Sequence, residues 1–157
     1  MITAIENYPR TTLVGLQVNT SFAMNHTVGL WKRFMPMFMG LQSPKTELYS
    51  IDVYPTGFFN DPFDPAREFV KWAAISFDSN LALPEEWETL IIPEGKYAVF
   101  HYVGNQLTAP EYYRNIYTKW IPEAGYVVDE RPHFAVMGEK YKNGDPQSEE
   151  DIWIPIR

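Results

Sequence analysis

The chain has no cysteine, which excludes disulfide scaffolds, thiolate metal sites and cysteine nucleophiles together and fits a reducing cytoplasm. No apolar run approaches the roughly 20 residues of a membrane-spanning helix. The first ten residues carry Glu6 and Pro9 and no apolar core of a secretory signal. Positive charge is also scarce, with 13 Lys and Arg against 20 Asp and Glu and a net charge of -7, at a pI near 4.9. The bases are scattered, Lys32 with Arg33 and Lys140 with Lys142 being the densest pairs, so no cationic face offers itself to phosphates. These absences predict a cytoplasmic protein that contacts neither nucleic acid nor membrane directly. A Gly-rich phosphate loop, a G-x-S-x-G elbow and an H-E-x-x-H helix are missing too. The three histidines, His26, His101 and His133, have no short ligand spacing. No metal, cofactor or catalytic residue is assigned.

What remains is 157 residues, enough for one domain with a self-sufficient core. The composition, 45% hydrophobic and 21% charged, is that of a globular chain. Aromatics stand out, with five Trp, ten Tyr and ten Phe. Two readings fit this excess: an aromatic-rich core, or a small-molecule cavity walled by rings.

The chain also repeats itself. Leu30 to Pro36 returns as Ile116 to Pro122, 86 residues later and nearly class for class, and at the same offset Leu48 and Ile51 meet Phe134 and Met137. Glu68 to Trp72 matches Glu149 to Trp153 at an offset of 81. Three collinear matches indicate a duplication, with halves at about 10–78 and 95–157 of a single domain, 1–157.

Each half reads alike. Thr12 to Val18 and Tyr97 to Val103 are β-branched or apolar strands. A helix follows each. Asn25 or Thr27 caps the first, whose stripe is Leu30, Trp31, Phe34 and Phe38, and Pro36 ends or kinks it. Thr108 caps the second, which runs through Tyr113, Ile116, Tyr117 and Trp120 to Pro122 and Gly125. Glu47 to Tyr54 and Lys71 to Phe77 complete the first half; Phe134 to Glu139 and Ile152 to Ile156 complete the second. The fold class is α+β: duplicated β-α-β-β modules with pseudo-twofold symmetry, a mainly antiparallel sheet. Pro55 to Pro65 is a loop carrying the exposed rings Phe58 and Phe59, and Ser79 to Gly95 links the halves. Asp52 and Glu139 fall inside strands among apolar neighbours, where a carboxylate must face a partner or water. His101 alternates with Tyr97 and Val99 on one strand face, either as a cavity wall or as a structural imidazole.

Four segments then carry a resemblance: Tyr97-Ala98-Val99-Phe100, Trp120-Ile121-Pro122 with Gly125-Tyr126, Asp129 to Phe134, and Ile152-Trp153-Ile154-Pro155-Ile156. In this order, together with Leu30-Trp31 and Lys71-Trp72-Ala73-Ala74, the chain from about Arg10 onward resembles the gyrase-inhibitor-like (GyrI-like) effector-binding family, found alone or attached to AraC-type and MerR-type regulators. The resemblance implies a ligand groove between the two modules. It also implies binding of amphipathic, often cationic, drug-like molecules by stacked rings around a buried glutamate, and in a subset of the family hydrolysis of reactive compounds. The family pattern has glutamate after Pro-x-Phe and often an aromatic two residues on, whereas this chain has Ala135 and Met137. Without that anion only ring faces and apolar surface are left to hold a ligand.

The expected ligand is accordingly a hydrophobic or aromatic small molecule, bound by a stand-alone domain that sequesters or senses it in connection with transcription. Strand alternation places Tyr49, Ile51 and Val53 on the face equivalent to Ala135, Met137 and Glu139, and Trp72 and Trp153 at equivalent places as stacking platforms. With His101 these give the candidate ligand-binding set Tyr49, Ile51, Trp72, His101, Ala135, Met137, Glu139 and Trp153. Two other classes stay open. One is a protein partner such as a topoisomerase, suggested by the acidic charge and the Phe58-Phe59 loop; the other is an enzyme using Glu139, His101 or a tyrosine.

Overall fold

The computed structural model describes residues 1–42 and 46–157. The strands are β1 (Ala4–Tyr8), β2 (Thr11–Thr20), β3 (Leu48–Val53), β4 (Phe69–Ser76), β5 (Glu88–Ile92), β6 (Gly95–Val103), β7 (His133–Met137) and β8 (Glu149–Pro155). Helix α1 (Thr27–Gly40) lies between β2 and β3; α2 (Ala109–Asn115), a π-helical turn (Ile116–Trp120) and α3 (Ile121–Glu123) lie between β6 and β7. The strands form one antiparallel sheet in the order β1-β6-β8-β7-β3-β4-β2-β5. Exchanging the halves turns β6-β8-β7 into β2-β4-β3, so the order reads the same from either edge. The pseudo-twofold axis passes between β3 and β7, whose register runs from Leu48 opposite Met137 to Asp52 opposite His133. The α+β duplication read from the repeat is the fold observed.

The edges depart from that reading. Met1 to Arg10 and the Ser79 to Gly95 link each contain a strand. β1 leads into β2 yet pairs with β6, from Ala4 opposite Val99 to Tyr8 opposite Gly95. β5 leads into β6 yet pairs with β2, from Thr11 opposite Ile92 to Gly15 opposite Glu88. Each outer strand thus belongs to one half by chain order and to the other by hydrogen bonding. Both are five residues long with interspersed acids, too short for alternation to declare them.

The helices differ in detail. α1 does not stop at Pro36 but continues to Gly40, because Pro36 is on the exposed side while Leu30 and Phe34 are buried. The ring therefore costs one backbone bond without entering the core. The second helix breaks into three pieces, and Thr108 makes no capping bond from its side chain. Its hydroxyl pairs with Tyr102 instead. β7 ends at Met137, so Glu139 is an exposed turn residue rather than part of a strand.

The helices cover one face of the sheet. Phe100, Ala135, Ile152 and Ile154 pack there with Ile116 and Ile121, and Val14, Leu16, Ala73 and Ile75 pack with Leu30 and Phe34. The other face closes on itself. Tyr8 of edge strand β1 reaches Tyr49 of central β3, hydroxyl to hydroxyl at 3.2 Å, and its ring lies 4.9 Å from Phe134 and 5.0 Å from Trp153. In a flat sheet four strand spacings, about 19 Å, would separate β1 from β3. The contact requires a strongly curled sheet, with Leu13, Ile51, Trp72, Tyr97 and Phe134 buried inside the curl.

Gly15 sits where β2 and β4 approach closely. A Cβ there would lie 1.9 Å from the Ala73 carbonyl oxygen of β4. Gly15→Ala is expected to destabilise the fold by about 1–3 kcal/mol through overpacking, read as a lower urea midpoint at unchanged slope. An unchanged midpoint would show that β2 and β4 have room to separate.

Candidate functional site

Residues directly opposite one another in adjacent strands share a face, so the sheet register assigns every candidate to a side. Ser50 is opposite Ala135 and Asp52 opposite His133; Asp52 is also opposite Lys71, and Ala135 opposite Ile152. All of these lie on the helix-covered face, above the pseudo-axis. Ile51 is opposite Trp72 and Phe134, and Phe134 opposite Trp153, which puts these on the closed face. Ile51 and Phe134 are thus counterparts at an offset of 83, not the 86 of the helices. A slip of three is odd, and an odd slip exchanges the faces of a strand.

The expected set therefore divides. Ala135 and Met137 lie on the helix side. Tyr49, Ile51, Trp72 and Trp153 lie on the other, and the equivalence drawn between Tyr49, Ile51, Val53 and Ala135, Met137, Glu139 does not hold. Trp72 is 5% exposed, and Trp153 stacks on Phe134 at 5.7 Å and 9°, so both rings are engaged in the core. Glu139 is outside the sheet. His101 sits exposed at the far end of the closed face, held between Asp151 (Nδ1 to Oδ1, 2.7 Å) and Glu149 (Nε2 to Oε1, 2.8 Å). The hydrogen bonds to Asp151 and then Glu149 raise its pKa, and it ties β6 to β8.

The helix face over β3 and β7 gathers another constellation. Lys71 Nζ is 3.0 Å from Asp52 Oδ1, with the side chains 13% and 20% exposed, so this carboxylate is already neutralised. Glu150, on β8, points to the same face two residues before Ile152. Burial raises its pKa and Lys71 pulls it back. Tyr54 and Tyr117 are held well above the usual phenol range by burial first and then by the Asp52 carboxylate; for Tyr113 the order is burial, Glu150, Asp52. All three stay protonated and present hydroxyl donors and ring faces.

His133 completes the wall at 3% exposure. Burial pushes its pKa down to about 3, against a hydrogen bond to the Asp129 backbone that favours the charged form. The imidazole is neutral. Tyr117 Oη lies 2.8 Å from Nδ1, within hydrogen-bond distance. The Pro-rich loop was expected to expose its two rings, but it brings both into packing contacts. Phe58 is buried, and Phe59 stacks on Tyr117 (4.7 Å, 19°) and His133 (5.3 Å, 14°) with Tyr54 edge-on at 4.8 Å. The recess beside it, lined by Tyr54, Phe59, Glu130 and His133, encloses only about 20 Å³, room for one water.

Sequence reasoning passed over Tyr113 and Tyr117 because their four-residue spacing marks a buried helical stripe, and a stripe does not say whether its far end carries useful hydroxyls. Lys71 opposite Asp52 was beyond reach without the register. Among the described residues no three His, Cys, Asp or Glu are placed to hold a metal ion, and no helix is long and apolar enough to cross a membrane.

Comparison with known proteins adds a family. A model of the GyrI-like small-molecule-binding domain matches residues 1–157. The transcriptional regulator BrlR of Pseudomonas aeruginosa is 27% identical over 94% of this chain and 53% of its own length. A DNA gyrase inhibitor of Erwinia billingiae is 33% identical over 59% of this chain and 61% of its own length. The chain thus matches about half to three fifths of these curated relatives. A protein solved with tetraphenylphosphonium bound has the same fold, with a TM-score of 0.68 at 18% identity, covering 98% of this chain and 93% of that one.

The neutral His133 has a measurable consequence. Above pH 6.5 the imidazole is uncharged folded and unfolded; below it the unfolded chain takes up a proton that the fold refuses. Stability is therefore lost as pH falls from 6.5 towards 3, by about 1.4 kcal/mol per unit. His133→Gln, which keeps an acceptor for Tyr117, is expected to lose about 2 kcal/mol less than the parent between pH 7 and pH 5 in urea titrations. His101, whose raised pKa acts with the opposite sign, is common to both proteins. Equal losses would show that the imidazole protonates in place.

Proposed function

The chain belongs to the GyrI-like small-molecule-binding family, and from that premise we propose that it holds a hydrophobic, aromatic small molecule in the groove between its halves, on the helix-covered face over β3 and β7. The observation that carries this is the convergence of Tyr54, Tyr113, Tyr117 and His133 around the Asp52–Lys71 pair. Uncharged rings line the wall, and the central carboxylate already has its cation. Such a site grips by apolar area and stacking, with the phenols orienting any acceptor the ligand carries.

The binding of tetraphenylphosphonium by a fold relative and the regulator named among the curated relatives support a role in sensing or sequestering a compound linked to transcription. Charge is where this chain diverges. A carboxylate at position 135 would face a bound cation in a medium of low dielectric, where an ionic hydrogen bond is strong. Ala135 supplies none, and burial favours the neutral form of Glu150. Discrimination between a cation and its neutral analogue is therefore weak. A protein-contact reading is favoured by one patch, in which Phe63, 74% exposed, meets Phe22, 47% exposed, at 6.0 Å.

Calorimetric titration with tetraphenylphosphonium and with neutral triphenylphosphine oxide tests the reading. The parent is expected to bind both, with affinities within about fivefold, the scale of a solvated charge contact. Ala135→Glu is expected to shift the ratio towards the cation by at least about tenfold. A parent that binds neither compound, or a ratio unmoved by the substitution, would remove the groove as the binding site.

A further inference from the structure

Phe59 reaches the helix-side groove from the Pro-rich loop rather than from the sheet or a helix. Its ring lies nearly parallel to both Tyr117 and His133, with Tyr54 closing the slot edge-on. This is the arrangement in which a site holds a flat aromatic guest. The ring faces are uncharged, because His133 is neutral and the Tyr117 hydroxyl pairs with it, while Glu130 lies at the rim. We propose that the platform made side by side by Tyr117 and His133, walled by Tyr54, is a subsite for a planar, uncharged aromatic ring system, and that Phe59 is a competitor built into the chain, which must leave before such a ligand enters.

The loop is fastened in a way that allows this. Arg67 clips it by donating to Asp61 Oδ2 at 3.0 Å and to the Thr56 carbonyl at 3.1 Å, and the Gly57 amide donates to Glu130 Oε1 at 3.3 Å. These bonds are exposed, and exposed pairs of this kind hold weakly. Gly57, at φ 79°, supplies the left-handed turn that brings the loop back over the groove. Phe58 is anchored next to it, buried against Tyr54 at 4.7 Å and Phe69 at 5.9 Å. The hinge is thus well defined, with Phe58 staying and Phe59, itself 39% exposed, free to swing out. With the ring in place only about 20 Å³ is open beside it; its departure would uncover the faces of Tyr117 and His133 on which it stacks. A competitor that fills the site most of the time lowers apparent affinity by the fraction of open molecules.

This inference rests on the binding reading above, and the experiment separates the two. The probe is acridone, a neutral planar fluorescent tricycle, titrated into the parent, Phe59→Ala and Phe59→Ala with Tyr117→Leu. Phe59→Ala is expected to bind about tenfold tighter than the parent, and the added Tyr117→Leu to abolish the gain. In the parent, saturating acridone is expected to speed hydrogen exchange at the Asn60 and Asp61 amides, whose acceptor is the Gly57 carbonyl within the loop. Equal or weaker binding by Phe59→Ala, or slower exchange in the parent's loop, would make Phe59 part of the ligand's wall and overturn the competitor while leaving the binding reading standing. Binding by none of the three proteins would overturn both.

Discussion

The antiparallel pairing of β3 with β7 is the constraint on which the rest of the molecule depends. It joins the two halves across their pseudo-axis, and its register, Ser50 opposite Ala135 and Asp52 opposite His133, decides which side chains face the helices. A shift of β3 by one residue would send Tyr49 and Ile51 under the helices and bring Ser50 and Asp52 into the closed core. The buried aromatics on one side and the Asp52–Lys71 pair on the other oppose such a slip from both faces. The exchanged outer strands add a second tie, because β1 and β5 each fasten one half to the other.

The aromatic excess divides between two tasks that the composition does not distinguish. Inside the curl, Tyr8, Tyr49, Tyr97, Phe134 and Trp153 pack against one another and replace the helix layer that an open sheet would need on that face. On the helix side, Tyr54, Phe59, Tyr113, Tyr117 and His133 surround polar groups. The first set is a core made of rings; the second presents hydroxyls and ring faces towards the groove. Both tasks call for large, rigid side chains that lose little rotamer freedom on ordering.

Electrostatically the groove is quieter than the acidic chain around it. Asp52 is matched by Lys71, the tyrosines stay protonated, and His133 stays neutral because burial outweighs the Asp129 backbone contact. Arg131 lies 4.7 Å over the Tyr97 ring and donates to Asp129, Lys96 and Ile156, and its charge adds to burial in lowering the His133 pKa. On the proposed reading, a site assembled in this way would select by shape and π surface more than by charge.

Local pattern was enough for the sequence to declare a duplicated β-α-β-β fold and both helical stripes, since apolar spacing and turn residues report on each segment's own geometry. Ala135 was singled out by the resemblance to the GyrI-like family, whose pattern has glutamate there, and not by local pattern. The site was not legible to the same degree. Trp72 and Trp153 are equivalent, as the repeat indicated, but equivalent on the closed face, because the helices repeat at 86 residues and the strands at 83 and 81. An odd difference inverts a strand while leaving its composition unchanged. Which strand an edge pairs with, whether Phe59 points to water or into a slot, and that Lys71 meets Asp52 are matters of register and curl. They are set by hydrogen bonds between segments far apart in the chain, and only the tertiary structure decides those.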